Sequence, residues 1–226
     1  MIKKNMLLLA NSRKHSERCL AGREFSSSSW QGWVRPVSAR EGEGLNSYER
    51  KYRDDGEPAV LDLIEVPLIR ANPHSCQTEN WLVSPDDWWT KIGNVSWDNA
   101  YDLAESPEEL WFNGQHTYLG INDEIPWRIS KSYTSSLCLI YAPSVDISVS
   151  TSFDKTKVRA AFSYRDVRYN LSLTDSIWEP HFRGQGRGTY RLNDCLLTIS
   201  LSEPFKKNGG EFYQYKLVAA AIPRQQ

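Results

Sequence analysis

Cysteine is scarce in this chain. Cys19, Cys76, Cys138 and Cys195 are scattered over 226 residues, and no Cys-x-x-Cys pair occurs among them. That excludes a dense disulfide framework and reads as reduced, buried thiols. Long apolar runs are missing as well. The stretch Met6-Leu-Leu-Leu-Ala10 is five residues, too short for a secretory core and far too short to span a bilayer. A cytoplasmic protein with no membrane association is the expectation. Histidine is sparse, with four in all, and none stands in a nucleophile setting such as G-x-S-x-G. Only His74-Ser-Cys76 places two metal-ligand types side by side, whereas structural zinc needs four ligands, usually as two tight pairs. No metal site, no cofactor and no catalytic residue is therefore expected. The carboxylates of Asn122-Asp-Glu124 and Thr174-Asp175 would have to converge on a metal to serve nuclease chemistry. The enzyme question stays open, with a non-catalytic role favoured.

Overall charge is nearly absent too, at −1, but it is unevenly spread. Residues 1–53 carry 11 Lys/Arg against 5 Asp/Glu, and residues 128–226 carry 14 against 8. The middle is acidic, with 1 against 6 over residues 54–83 and 1 against 9 over residues 84–127. Segregation of this kind can build a basic face that the average hides. The acidic middle also reads as ordinary solvated surface. What is plentiful is apolar and aromatic: 40% hydrophobic and 12% aromatic, with 9 Trp and 11 Tyr. That is ample for a packed core and leans towards strands.

The pattern along the chain is β, then mixed, then β. Asn5–Ala10, Cys19–Glu24 and Trp33–Ser38 read as strands separated by polar or Ser-rich turns. Leu45–Tyr52 reads as a short helix with Ser47 as its cap. Val60–Ile69 reads as a long strand bent at Pro67, and Asn80–Val83 closes the unit. In the acidic middle, Ser84-Pro-Asp-Asp87 and Ser106-Pro-Glu-Glu109 each look like a capped helix start. Ser136–Tyr141 and Val145–Ser150 follow as strands. Lys157–Thr174 is the clearest alternation in the chain, a hairpin turning at Arg165-Asp166 with an apolar and a polar side. A helical piece over Thr174–Phe182 and strands Cys195–Leu201 and Phe212–Ile222 complete a second unit. Five strands, one helix and no βαβ rhythm suggest a small Greek-key barrel.

Several phrases in order along the chain carry a resemblance: Leu9-Ala-Asn-Ser-Arg-Lys14, Cys19-Leu-Ala-Gly22, Trp33-Val-Arg-Pro-Val-Ser38, Asn170-Leu-Ser-Leu-Thr-Asp175 and Tyr215-Lys-Leu-Val-Ala219. Together they resemble the prokaryotic dual OB-containing domain family. The resemblance implies a mainly β protein of two OB-like Greek-key barrels, expected over 1–83 and 128–226 and joined by a short helical connector over 84–127. It also implies nucleic-acid binding within a larger prokaryotic system.

Candidate contacts follow from residue type. Ser12, Arg13 and Lys14 leave the first strand as a cationic turn suited to phosphate oxygens, or to plain solvation. Trp33 and Arg35 alternate on a short strand, where a ring and a guanidinium can hold a base and its backbone. Equally, Trp33 reads as core with Arg35 reaching solvent. The polar side of the hairpin carries Lys157, Arg159 and Arg168, with Arg159 placed opposite Ser172. Arg183 and Arg187 sit in the glycine-rich loop Phe182–Gly188, which either drapes on nucleic acid or merely connects. The expected ligand is RNA or single-stranded DNA with little sequence preference, alongside protein partners in a larger complex. A rival reading is a protein-interaction adaptor built on Trp88, Trp89, Trp97 and Trp111 and the acidic residues around them.

Overall fold

The run Met6–Ala10 lies in the middle of strand β1 (Ile2–Lys14), and all five of its side chains are buried. The computed structural model describes residues 1–207 and 209–224, and the chain divides into two units, Met1–Asp102 and Leu103–Gln226. In the first unit β1 is followed by β2 (Glu17–Ser26), β3 (Ser29–Val37), β4 (Asp62–Ala71), β5 (Asn80–Val83) and β6 (Thr90–Asn94), then the five-residue helix α1 (Trp97–Tyr101). The sheet runs β1-β2-β3-β5-β4 and returns from β4 to β1. Only the β3–β5 pairing in that ring is parallel. This is the wiring of an OB barrel. β1 and β2 approach closely at Gly22, where an added Cβ would stand 2.0 Å from the carbonyl oxygen of Leu7, so any larger residue would force the two strands apart.

The second unit opens with β7 (Glu124–Pro126) and the four-residue helix α2 (Trp127–Ser130). Its barrel strands are β8 (Leu137–Ser152), β9 (Lys155–Tyr164) and β10 (Val167–Leu173). Helix α3 (Trp178–Gln185) follows, then β11 (Gly188–Leu201), β12 (Phe205–Lys206) and β13 (Phe212–Pro223). The ring is β8-β9-β10-β13-β11 with β11 paired back to β8, and again the third-to-last closure, β10–β13, is parallel. The two barrels thus share one topology. The predicted hairpin is present: Arg165 and Asp166 both adopt positive φ, the two-residue turn that matches strand twist, and Ser172 stands opposite Arg159. Asp175 fixes the start of α3 by accepting hydrogen bonds from the backbone nitrogens of Ile177 and Trp178, while its other oxygen accepts from Ala221 on β13. Burial raises the pKa of that carboxyl.

The acidic middle departs from the helical expectation. After Ser84, whose hydroxyl donates to Asp87, the chain runs extended: Trp89 bridges Tyr52 and β6 pairs with β4. Burying Trp89, at 1% exposure, together with the free edge of β4 outweighs a capped but short helix. No helix forms after Ser106 either. Its carbonyl and that of Pro107 accept from Arg165 and Tyr164, and Leu110 enters the second core. Leu45–Tyr52 is a turn rather than a helix, and the capping side chain is Asn46, accepting from the nitrogens of Tyr48 and Glu49.

Lys216 on β13 is the unusual interior residue of the second barrel. It is fully buried, its ammonium lies 5.1 Å from the Tyr169 ring centroid, and it donates to Asn113 Oδ1. Burial lowers its pKa to about 7, opposed in part by the carboxylates of Glu109 and Asp123. Between that value and the ordinary lysine range the unfolded chain binds a proton that the folded chain does not. Stability therefore rises with pH through this window, by up to about 1.4 kcal/mol per pH unit. Urea unfolding from pH 7 to 9.5 should show this slope in the wild type and lose it in Lys216→Met. Equal slopes in both would contradict the assignment.

Candidate nucleic-acid interface

In a barrel of this type, oligonucleotides lie across the outer face of the second and third strands. On the first barrel those are β2 and β3. Gly22 and Val34 pair and face inward, so their neighbours Arg23 and Trp33, paired with each other, face outward. The next outward pair is Phe25 with Trp30. A β-bulge on β3 supplies one extra residue between Trp30 and Trp33, which keeps both indoles on one face although they are three apart in sequence. Phe25 and Trp30 pack with centroids 4.8 Å apart. The Arg23 guanidinium lies 6.0 Å from the Trp33 ring centroid and donates to the Gln31 carbonyl at 2.6 Å. The result is a half-buried platform of three rings and one guanidinium. Lys14 reaches the same outer side, opposite Glu17 on β2, whereas Ser12, opposite Cys19 on that side, is buried at 8% exposure and leaves the set of phosphate contacts.

The residues singled out from sequence fall into three groups. Trp33 is part of the platform. Arg13 is exposed at the end of β1 but, paired with Arg18, faces the other way from Ser12 and Lys14. Lys157 and Arg168 are exposed on the second barrel, and Arg187 is exposed and donates to Thr151 Oγ1. Three cations have carboxylate partners. Arg35, 7% exposed, pairs with the buried Glu79 at 3.2 Å. Arg159, also 7% exposed, pairs with Asp123 at 2.6 Å. Arg183 pairs with Glu179 one helical turn away. Burial and neutralisation take Arg35 and Arg159 out of the set of phosphate contacts read from the sequence.

Arg159 is buried because the chain itself covers that face. Ile121 pairs with Asn170 on β10, Asn170 Nδ2 donates to the Leu119 carbonyl, and Asn122 Nδ2 donates to the Arg168 carbonyl. Asp123 then receives Arg159, the Thr117 hydroxyl and the Thr117 backbone nitrogen. Gly120 makes room for this, since a Cβ there would overlap the Asp123 carboxylate at 1.9 Å. Residues 117–123 are a strap across the outer side of β9 and β10. The equivalent faces of the two barrels therefore differ: one presents rings, the other is closed by an ion pair.

The tryptophans of the acidic middle are mostly occupied. Trp89 is core, Trp111 packs against the second core and donates to the Ser135 carbonyl, and Trp97 stacks on Tyr101. Trp88 stays 42% exposed. Among the described residues no group of three or more His, Cys, Asp or Glu stands together as a metal site. No helix among them is long and apolar enough to cross a membrane.

Two barrels of one OB wiring, one with a ring-bearing face, define an OB-fold module. The chain belongs to the dual OB-containing domain family, whose model matches residues 4–221. No curated protein and no solved structure gives a significant match.

The strap makes a stability prediction. Asp123→Asn leaves the Arg159 cation buried without its counter-charge and should cost about 3–5 kcal/mol. Lys3→Ala, which breaks the exposed pair with Glu65, should leave stability near wild type. Urea unfolding of both variants checks this. A loss for Asp123→Asn no larger than for Lys3→Ala would contradict a strap held by this pair.

Proposed function

We propose that the protein is a non-catalytic module that binds RNA or single-stranded DNA with little sequence preference, in the cytoplasm and within a larger prokaryotic assembly. The observation that carries this reading is the platform Arg23, Phe25, Trp30 and Trp33 on the outer face of β2 and β3. Every base has a π-face, so stacking on such rings tolerates any sequence. Lys14 and Arg23 supply positive charge along the same side, where phosphates of a stacked strand would pass. Duplex DNA keeps its bases stacked inside and cannot use the rings, so single strands are the favoured ligand.

The first barrel carries the main contact. In the second, Lys157 and Arg168 stand at the exposed margin of a face whose centre is closed by the strap, and they offer phosphate contacts of their own.

The test is titration of labelled poly-U and poly-dT oligonucleotides and a duplex of equal length at several salt concentrations. Single strands should bind more tightly than the duplex. Trp33→Ala should weaken single-strand binding by about 1–3 kcal/mol. Lys14→Ala should lower the slope of log K against log salt by about one, and Arg168→Ala should do so less. No binding at tens of micromolar, or binding indifferent to Trp33→Ala and to salt, would reject the reading.

A further inference from the structure

The exposed indole of Trp88 belongs to a second feature of the first unit. Lys51 places its ammonium 4.3 Å from the Trp88 ring centroid and 4.9 Å from that of Tyr48. Both distances lie in the range of cation–π attraction. The two rings cover the cation well: the Lys51 side chain is only 21% exposed although it sits at the surface, while Tyr48 is 74% and Trp88 42% exposed. Around them is a cavity of about 280 Å³ lined by Tyr48, Lys51, Pro85, Asp86, Asp87 and Trp88.

The clamp is built by the fold. The backbone nitrogen of Trp89 donates to the Lys51 carbonyl at 3.2 Å, and Tyr52 and Trp89 form a bridge whose side chains enter the core. Side chains alternate along extended chain, so Lys51 and Trp88, each one residue earlier, are turned outward together. Tyr48 is set in place by the Asn46 turn.

We infer that Tyr48 and Trp88 form a recognition clamp for an alkylammonium group, the lysine or methylated lysine of a partner protein, and that Lys51 fills it in the free protein. Two features select this ligand. The rings already hold an ammonium, which shows the spacing suits one. The remaining charged groups of the cavity, Asp86 and Asp87, are carboxylates, and Asp55 pairs with Lys51 at 3.2 Å from outside. Such a surround attracts a cation and repels a phosphate. Two ammonium groups cannot share the space between the rings, so an incoming lysine must displace Lys51. Removing Lys51 therefore strengthens binding, whereas removing a lysine that contacts phosphate weakens it. The inference does not rest on the platform of β2 and β3, and either can fail alone.

The experiment uses the full chain with labelled tryptophan indoles, observed by NMR, with the Trp88 signal assigned by its loss in Trp88→Ala. The probes are a short peptide with one trimethyl-lysine, the same peptide with alanine there, and a poly-U oligonucleotide, all at one ionic strength. The trimethyl-lysine peptide should shift the Trp88 signal and the alanine peptide should not. Lys51→Ala should bind that peptide roughly two- to five-fold more tightly, the factor one exposed cation–π contact is worth. Tyr48→Ala should abolish the gain, and since Tyr48 is largely exposed its melting temperature should match wild type. Weaker or unchanged binding by Lys51→Ala overturns the inference, as does peptide binding indifferent to Tyr48→Ala. A Trp88 shift caused by poly-U alone would also overturn it, and would make the clamp part of a nucleic-acid surface.

Discussion

Closure of each sheet onto its own first strand is the constraint on which the rest of this protein depends. β1 bonds to β2 along one edge and to β4 along the other, and β8 does the same with β9 and β11. Closure satisfies both edges of the first strand and leaves the sheet a single interior to fill. Its cost is steric: β1 carries a bulge between Leu8 and Ala10, and Gly22 on β2 permits the close approach of the two strands beside Leu7. Its consequence is that recognition chemistry can stand only on the outer face, in the loops, or at the barrel ends. The same wiring used twice therefore need not mean the same task done twice.

The difference between the two outer faces comes from a few residues. On the first barrel a bulge brings Trp30 beside Trp33, and the guanidinium of Arg23 lies over the ring of the latter. On the second, Asp123 reaches Arg159 from a strap that also bonds the β10 backbone. A buried ion pair gains little over an apolar pair of the same shape, but breaking it is expensive. Its value here is geometric, since it fixes where residues 117–123 lie. One barrel presents rings on that face and the other covers it with its own chain, a difference that two copies of one wiring allow.

Much of the fold was legible because it rests on period-two alternation. The hairpin of β9 and β10, its turn at Arg165-Asp166 and the register of Arg159 with Ser172 follow from spacing alone. The two-barrel organisation was carried by the family resemblance as well as by strand count. What misled was local: Ser84-Pro-Asp-Asp87 and Ser106-Pro-Glu-Glu109 have the residues of helix starts, but the burial of Trp89 and Leu110 and the open edge of β4 decided those segments. The site was less legible for a related reason. Strict alternation puts Trp30 and Trp33 on opposite faces, and nothing in the sequence announces the bulge that reunites them. Arg35 and Arg159 looked like phosphate contacts because their partners, Glu79 and Asp123, lie 44 and 36 residues away in the chain. A signal for the platform was present in the rings at Phe25, Trp30 and Trp33 flanking the Ser26–Ser29 turn.

The central claim is that the ring-bearing face of β2 and β3 is where single-stranded nucleic acid lies. Backbone amide mapping by NMR tests it most directly, with the isotopically labelled full chain titrated with poly-dT. Shifts concentrated at Arg23, Phe25 and Trp30 to Trp33, with Asn170 and Ser172 unmoved, are the predicted result. Shifts centred on β9 and β10, with the first barrel silent, would contradict it.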